Sequence, residues 1–323
     1  MPLKKERALL IINPKAGTQG ARRNFYSIVT GLSKKYTLTT HITETFDDAR
    51  MAASQAEDFS TVICCGGDGT VSQIVDGYPL SKKKPSIGYV PCGTANDFAA
   101  TMKYSRNIAR AVSDVCNGRV TPHDLGCFNG RRFVYVASFG AFTKASYNTP
   151  QNVKNFFGPL AYLVSGAMDL ASIKNEQVKI VCDGTEYSFD DACFLAVLNT
   201  HSVGGVLKID PAVTDLADGK HELLLIRKPK TLQRLSELVA SLSQSRFSDP
   251  GILLIKGSEF EITTKNRVAW TLDGEDSGEF YTVKIKNLYQ AINFITPPET
   301  KKRRVTVRNS TIALSLPSNS RKQ

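Results

Sequence analysis

The stretch Ile63–Ser72, ICCGGDGTVS, decides how the chain folds. A strand-like apolar run, TVICC (61–65), stops at two glycines, an aspartate and a third glycine, and a helical pattern follows from about Thr70. A buried strand that turns through glycine into a helix points several backbone N–H groups at one place, which is how proteins grip phosphate. The rest of the first third alternates the same two kinds of segment. ALLIIN (8–13), YTLTTHIT (36–43) and SIGYVP (86–91) read as strands. GARRNFYSIVTGLSKKY (20–36), with Ile28, Val29, Leu32 and Tyr36 on one face, and DDARMAASQAEDF (47–59) read as helices. Strands interleaved with helices predict a parallel sheet covered by helices.

Beyond about Gly126 the texture changes. RRFVYVASF (131–139), EQVKIVC (176–182), EYSFDDACFLAVLN (186–199), KHELLLIR (220–227), GILLIKGSEFEITT (251–264), RVAWTL (267–272) and EFYTVKIK (279–286) are short strand candidates, with turn signals at Asp183-Gly184 and Asp218-Gly219. A mostly antiparallel β-domain is expected, interrupted by helices over 158–173 and 231–245, the second with Leu235, Leu238, Val239 and Leu242 at helical spacing. The chain has 323 residues, enough for two domains each with its own core.

A net charge of +11 favours anionic partners: nucleotide phosphates, an anionic membrane surface or nucleic acid. No nucleic-acid-binding module or aromatic–basic stripe is present, so nucleic acid is not expected as a partner. The seven cysteines have no metal-ligand spacing, and Cys64 and Cys65 lie inside an apolar run; free thiols in a reducing cytoplasm are expected. The apolar core Ala8–Ile12 is too short for a signal peptide, and no segment approaches the roughly 20 apolar residues of a membrane span. Any membrane contact is therefore expected to be peripheral. The basic runs Lys82–Lys84 and Lys301–Arg304 read as solvated faces or as lipid-facing ones.

Two further loops repeat the construction of the first. IGYVPCGTANDFA (87–99) carries Gly93 and Thr94 ahead of Asn96-Asp97, and INPKAG (12–17) supplies Asn13, Lys15 and Gly17. The dinucleotide fingerprint is absent, because Ser72 fills its third glycine position, and no Walker A sequence occurs. Glycine loops at the strand ends of one sheet face a common crevice.

NPKAG (13–17), GGDGT (66–70) and PCGTANDFA (91–99), in that order, resemble the diacylglycerol kinase catalytic domain shared by bacterial lipid kinases and sphingosine kinases. The likeness runs over about residues 8 to 298. PHDLG (122–126), the segment 146–166, GGVLKIDPAVTDLADGKHEL (204–223) and WTLDGED (270–276) resemble landmarks of the bacterial soluble diacylglycerol kinases. The resemblance implies an α/β N-terminal domain with an NAD-kinase-like parallel sheet over residues 1–126, to which the segment from about 290 to 323 returns. A mostly antiparallel β-sandwich that accepts the lipid is implied over 127–289. It implies ATP as phosphoryl donor, with nucleotide contacts from Asn13, Thr43, the turn Gly66, Gly67, Asp68, Gly69, Thr70, Val71 and Ser72, and Thr94. Asp68, Asp97 and Asp124 would organise catalytic Mg²⁺, through water because Mg²⁺ dehydrates reluctantly. Glu275 would be the general base, with Asp273 as its neighbour and substitute. A structural Mg²⁺ would use the side chain of Asp218 and the carbonyls of Asp215 and Lys220. The implied product from diacylglycerol is phosphatidic acid, made by a cytoplasmic protein that visits the anionic inner leaflet; the resemblance also suggests a homodimer.

Plainer readings stand beside these. Asp218-Gly219 and Asp273-Gly274 are also hairpin signals, which would leave Glu275 an exposed turn carboxylate, and Asp124 is also a strand-end cap. An NAD kinase uses a GGDGT loop too. Another lipid or sphingoid kinase, or a nucleotide- or lipid-binding protein without catalysis, fits the same fold. Ser72, where many relatives have Asn, puts one nucleotide contact in question.

Overall fold

A computed structural model of the chain describes residues 5–17, 20–81, 84–94, 96–140, 173–200, 202–203, 207–208 and 215–298. The segment 146–166, nearly all of the helix expected over 158–173, Lys82, Lys83, the tail from Lys301 and the side chain of Asp97 lie outside the described residues.

Four strands, β1 (Glu6–Ile12), β2 (Tyr36–Ile42), β3 (Thr61–Gly66) and β4 (Ser86–Pro91), lie side by side in the order β4-β3-β1-β2. Every pairing among them is parallel, and they finish level: Ile12 stands opposite both Ile42 and Cys65, and Gly66 opposite Pro91. Their runs are continuously apolar because both faces are covered. Leu9, Ile11, Val62 and Cys64 point into one apolar cluster; Ala8, Leu10, Ile12, Ile63 and Cys65 point into another.

Helices α1 (Gly20–Arg23), α2 (Phe25–Leu32), α3 (Asp48–Ser54), α4 (Asp68–Gly77), α5 (Asp97–Thr101) and α6 (Ile108–Asn117) connect these strands or follow the last of them. The helix expected over 20–36 is two pieces, broken at Asn24, whose side-chain amide donates to the Gly20 carbonyl at 2.9 Å. Tyr36 belongs to β2 rather than to the helix face, and its buried hydroxyl donates to the Val115 carbonyl at 3.2 Å.

The second half supplies β5 (Arg119–Phe128), β6 (Arg131–Phe133), β7 (Val136–Gly140), β8 (Glu176–Cys182), β9 (Thr185–Leu198), β10 (Ser202–Val203), β11 (Leu207–Lys208), β12 (His221–Arg227), β13 (Ile252–Gly257), β14 (Glu259–Leu272) and β15 (Glu275–Thr296). Helix α7 (Leu232–Ser243) sits between β12 and β13, capped by Thr231, with Leu235, Leu238 and Leu242 buried. The pairings within this β-rich region are antiparallel. Alternation gives its strands two buried faces: Leu195, Val197, Leu223 and Leu225 enter one cluster, and Phe194, Ala196, Leu198, Leu224 and Ile226 the other.

Two details position the site. β15 is 22 residues long; it pairs with β14 at its start, and near its end Asn293 and Phe294 pair in parallel with Ser86 and Ile87 of β4. One strand thus ties the β-rich region to the parallel sheet. The strand expected over 131–139 is interrupted between β6 and β7, where the amides of Val134, Tyr135 and Val136 turn to the Asp273 carboxylate.

Candidate active site

Because β1 to β4 are parallel and end level, the loops that follow them gather at one edge. Loop 13–17 is held by Asn13, whose amide donates to the Cys65 carbonyl at 2.9 Å and whose Oδ1 accepts the Lys15 amide at 3.0 Å. Its Nδ2 reaches the Thr70 hydroxyl at 3.1 Å, joining the first loop to the third. Thr43 is buried, and its amide continues the β2 ladder onto Ile12. A cavity of about 180 Å³ opens between them, lined by residues that include Asn13, Lys15, Thr43, Phe46, Thr70 and Gln73. Lys15 was named from INPKAG as facing the common crevice, whereas Phe46 and Gln73 were not singled out by sequence.

The glycines of the other two loops are required by contact. A Cβ at Gly93 would stand 2.6 Å from the Gly67 Cα, and one at Gly66 2.5 Å from the Thr70 hydroxyl. Gly17 has φ +57°, and its Cβ would meet the Cys92 carbonyl at 2.5 Å. Three loops therefore touch backbone to backbone, which any side chain would forbid.

Helix α4 starts at this contact. Gly67 is its extended N-cap residue, and Asp68 in the first turn accepts the Phe98 amide at 3.1 Å, linking the third loop to α5. At the other end, the Arg132 amide donates to Asp76 at 3.0 Å, and the Arg132 guanidinium donates to the carbonyls of Asp76 and Tyr78, a cation where the helix dipole is negative. The amides of Thr70 and Val71 are spent on the Gly67 carbonyl, and the Val71 side chain is packed in the core. Val71 thus has no group to offer a nucleotide, which removes it from the expected contacts. Thr94 is exposed at the rim.

From the β-rich region, the Asp273-Gly274 turn projects into this edge. Leu272 pairs with Glu275, and both turn residues have positive φ, 50° and 90°, as a two-residue hairpin turn demands. Glu275 is carried to the glycine turn itself: its Oε1 lies 3.1 Å from where a Cβ on Gly69 would stand. Asp273 does not share that position. It is almost fully buried, and its carboxylate accepts the amides of Val134 at 2.9 Å and of Tyr135 and Val136 at 3.0 Å. Burial pushes its pKa up to about 6, against the pull of those amides and of the Ser72 hydroxyl. A carboxylate so engaged cannot substitute for Glu275 as base; it fixes the turn that carries Glu275. The link to Ser72 also explains that residue, which faces Asp273 from α4.

Asp124 has no solvent exposure. Its Oδ2 accepts the Gly219 amide at 2.7 Å and Asn287 Nδ2 at 3.0 Å, and its Oδ1 accepts the Gln290 amide at 2.7 Å. Direct metal ligation by Asp124 does not fit these contacts; it ties loop 215–219 to β15. The loop expected to hold a structural Mg²⁺ is occupied likewise. Asp218 accepts the Lys220 amide at 3.0 Å on one oxygen and receives the Lys256 ammonium at 2.7 Å on the other, while Asp215 accepts the Ala217 amide. Lys256 also lies 3.1 Å from buried Glu222, whose pKa burial raises to about 7 against the pull of that ammonium. An ammonium thus already engages the one side-chain ligand expected for this loop. Among the described residues no group of three or more His, Cys, Asp or Glu could hold a metal. At the glycine turn, Asp68 and Thr70 are oxygen donors, the chemistry Mg²⁺ selects.

The geometry agrees with what the chain is similar to. Residues 7–128 match the diacylglycerol kinase catalytic domain, and residues 136–295 match the YegS C-terminal NAD kinase beta sandwich-like domain. A diacylglycerol kinase of Bacillus subtilis (strain 168) is 31% identical over 298 residues, covering 91% of this chain and 97% of the relative. One from Staphylococcus carnosus (strain TM300) is 30% identical over 301 residues, covering 92% and 97%. A crystal structure of a diacylglycerol kinase from Bacillus anthracis str. Sterne superposes with a TM-score of 0.71 at 25% identity, covering 91% of this chain and 98% of that one. With both halves matched and the glycine loops meeting as described, the chain belongs to the diacylglycerol kinase family, a family of kinases.

Proposed function

We propose that this protein transfers a phosphoryl group from ATP, with Mg²⁺, to the free hydroxyl of diacylglycerol, giving phosphatidic acid. The observation that carries the reading is the Glu275 carboxylate standing over Gly69 of the glycine turn, brought there from the other half of the chain. The triphosphate would lie against the 13–17 and 66–69 loops and Gly93, which meet backbone to backbone, with Thr43 and Thr70 at the cavity wall. Mg²⁺ bound through Asp68, and through Asp97 of α5, would neutralise charge on the transferred group. Glu275 orients the acceptor hydroxyl and takes its proton as the oxygen attacks, so alignment and charge neutralisation suffice without a covalent intermediate. Asp273 and Asp124 position these parts without touching substrate.

The lipid is met at a surface. The net charge of +11 supports docking on an anionic leaflet, and among the described residues no helix is long and apolar enough to cross a membrane.

Turnover of ATP in mixed micelles with and without diacylglycerol tests the assignment; bound Mg²⁺-ATP with no lipid-dependent transfer defeats it. Glu275→Gln should lower kcat by about 10²–10⁴-fold with nucleotide affinity retained, the usual range for a lost general base. Unchanged turnover would remove Glu275 from that role.

A further inference from the structure

We propose that Cys65 and Cys92 form a reversible disulfide that locks the glycine loops, making this pair an oxidative modification site next to the catalytic centre. Their sulfurs are 3.4 Å apart. Cys65 is the penultimate residue of β3 and Cys92 follows the last residue of β4; each immediately precedes a glycine loop. Both side chains lie on one face of the sheet, in the cluster with Ile12, Ala21 and Val90, while Cys64 faces the opposite cluster. Nothing in phosphoryl transfer uses a thiol, and the pair sits where small apolar side chains would fill the same space.

The sulfurs differ in reach. Cys65 is fully buried, whereas Cys92 retains slight exposure at the loop edge. The thiol–thiol hydrogen bond holds the Cys92 pKa below its usual range and raises that of Cys65. Cys92 is therefore the nucleophile toward a small oxidant, and Cys65 the resolving thiol.

With a hydroperoxide as oxidant, the Cys92 thiolate attacks the terminal peroxide oxygen. The O–O bond breaks, Cys92 becomes a sulfenic acid, and the alkoxide or hydroxide leaves and is protonated. Cys65 then gives up its proton and attacks the sulfenic sulfur; the S–S bond forms as the S–O bond breaks, releasing water. Two thiols lose two electrons and the peroxide gains them. A dithiol reverses the step by exchange.

Bond formation must draw the sulfurs together to about 2.05 Å. The Cys92 backbone has little freedom to yield unnoticed. Its amide donates to the Gly66 carbonyl at 2.7 Å, its carbonyl faces Gly17, and the next residue, Gly93, packs on Gly67. The displacement is thus delivered to all three loops that form the proposed nucleotide seat.

The test uses the full-length protein exposed natively to hydrogen peroxide, freed of oxidant, then unfolded in the presence of the alkylating agent and mapped by mass spectrometry. The expected product is one Cys65–Cys92 linkage with the other five cysteines alkylated, reversed by dithiothreitol. Cys65→Ser, whose hydroxyl keeps a donor beside the Cys92 sulfur, should leave a sulfenic acid at Cys92 that dimedone traps; Cys92→Ala should abolish both products. No 65–92 linkage, or one formed only after denaturation, overturns the site. The functional consequence rests on the proposed nucleotide reading: oxidation should weaken ATP affinity at least tenfold in the wild type and leave Cys65→Ala/Cys92→Ala unchanged. Equal affinity before and after complete linkage overturns the lock. Absence of ATP binding to the reduced protein would instead sink the nucleotide reading and with it the lock, while the mapped bond would stand.

Discussion

Asp273 gives a prediction whose size follows from its surroundings. Its folded pKa of about 6 lies above the ordinary 3.8, because burial disfavours the charge more than three backbone amides and Ser72 favour it. Between those two values the native protein keeps a proton that the unfolded chain has released. The stabilisation is complete below about pH 4 and is lost as pH rises through 6. The gap between the folded and unfolded values, at about 1.36 kcal/mol for each tenfold change in proton affinity, amounts to about 3 kcal/mol. Asp273→Asn removes this titration. The amide keeps an oxygen for Tyr135 and Val136 but turns an NH₂ toward the Val134 amide, a donor facing a donor, for a loss of about 1–3 kcal/mol that does not vary with pH. Urea unfolding followed by the fluorescence of Trp270, the chain's one tryptophan and a buried one, reports both proteins at pH 4 and pH 7. Wild type should gain about 2.5 kcal/mol relative to the variant on going from pH 7 to pH 4. A difference that stays within about 0.5 kcal/mol across that range would refute the reasoning. The variant should also lower kcat while nucleotide affinity holds, since only the turn bearing Glu275 loosens.

Gly93→Ala places a methyl 2.6 Å from the Gly67 Cα, so the two glycine loops must separate; ATP affinity should fall at least tenfold in a calorimetric titration, with stability lowered by about 1–3 kcal/mol. Asp124→Asn strips charge and one acceptor from a fully buried site serving three donors, and should lower unfolding free energy by about 3 kcal/mol in the same urea assay. Lys256→Met leaves Asp218 and Glu222 without their shared cation and should destabilise by about 3 kcal/mol. For the wild type, chelation with EDTA should leave the melting temperature of the nucleotide-free protein unchanged; a drop would restore a divalent ion to the 215–220 loop.

Much of this protein is written locally. Glycine after an apolar run announces a turn whatever surrounds it, so ICCGGDGTVS, IGYVPCGTANDFA and INPKAG each declared a strand end and a glycine loop. The periodicity of 231–245 and the Asp-Gly turns at 183 and 273 were readable for the same reason: each depends on residues a few positions apart. What a carboxylate does depends instead on residues from about thirty to about two hundred positions away. Asp68, Asp124, Asp218, Asp273 and Glu275 look alike in sequence. Packing sets one at a helix start, encloses two in backbone amides, puts one on a lysine and leaves one over Gly69. The break between β6 and β7 and the division of β15 between two regions have the same origin, hydrogen bonds closed across long stretches of chain. Local chemistry told which residues make strands, turns and helices; only the tertiary structure, by choosing each buried polar group's partner, told which of them are left to act.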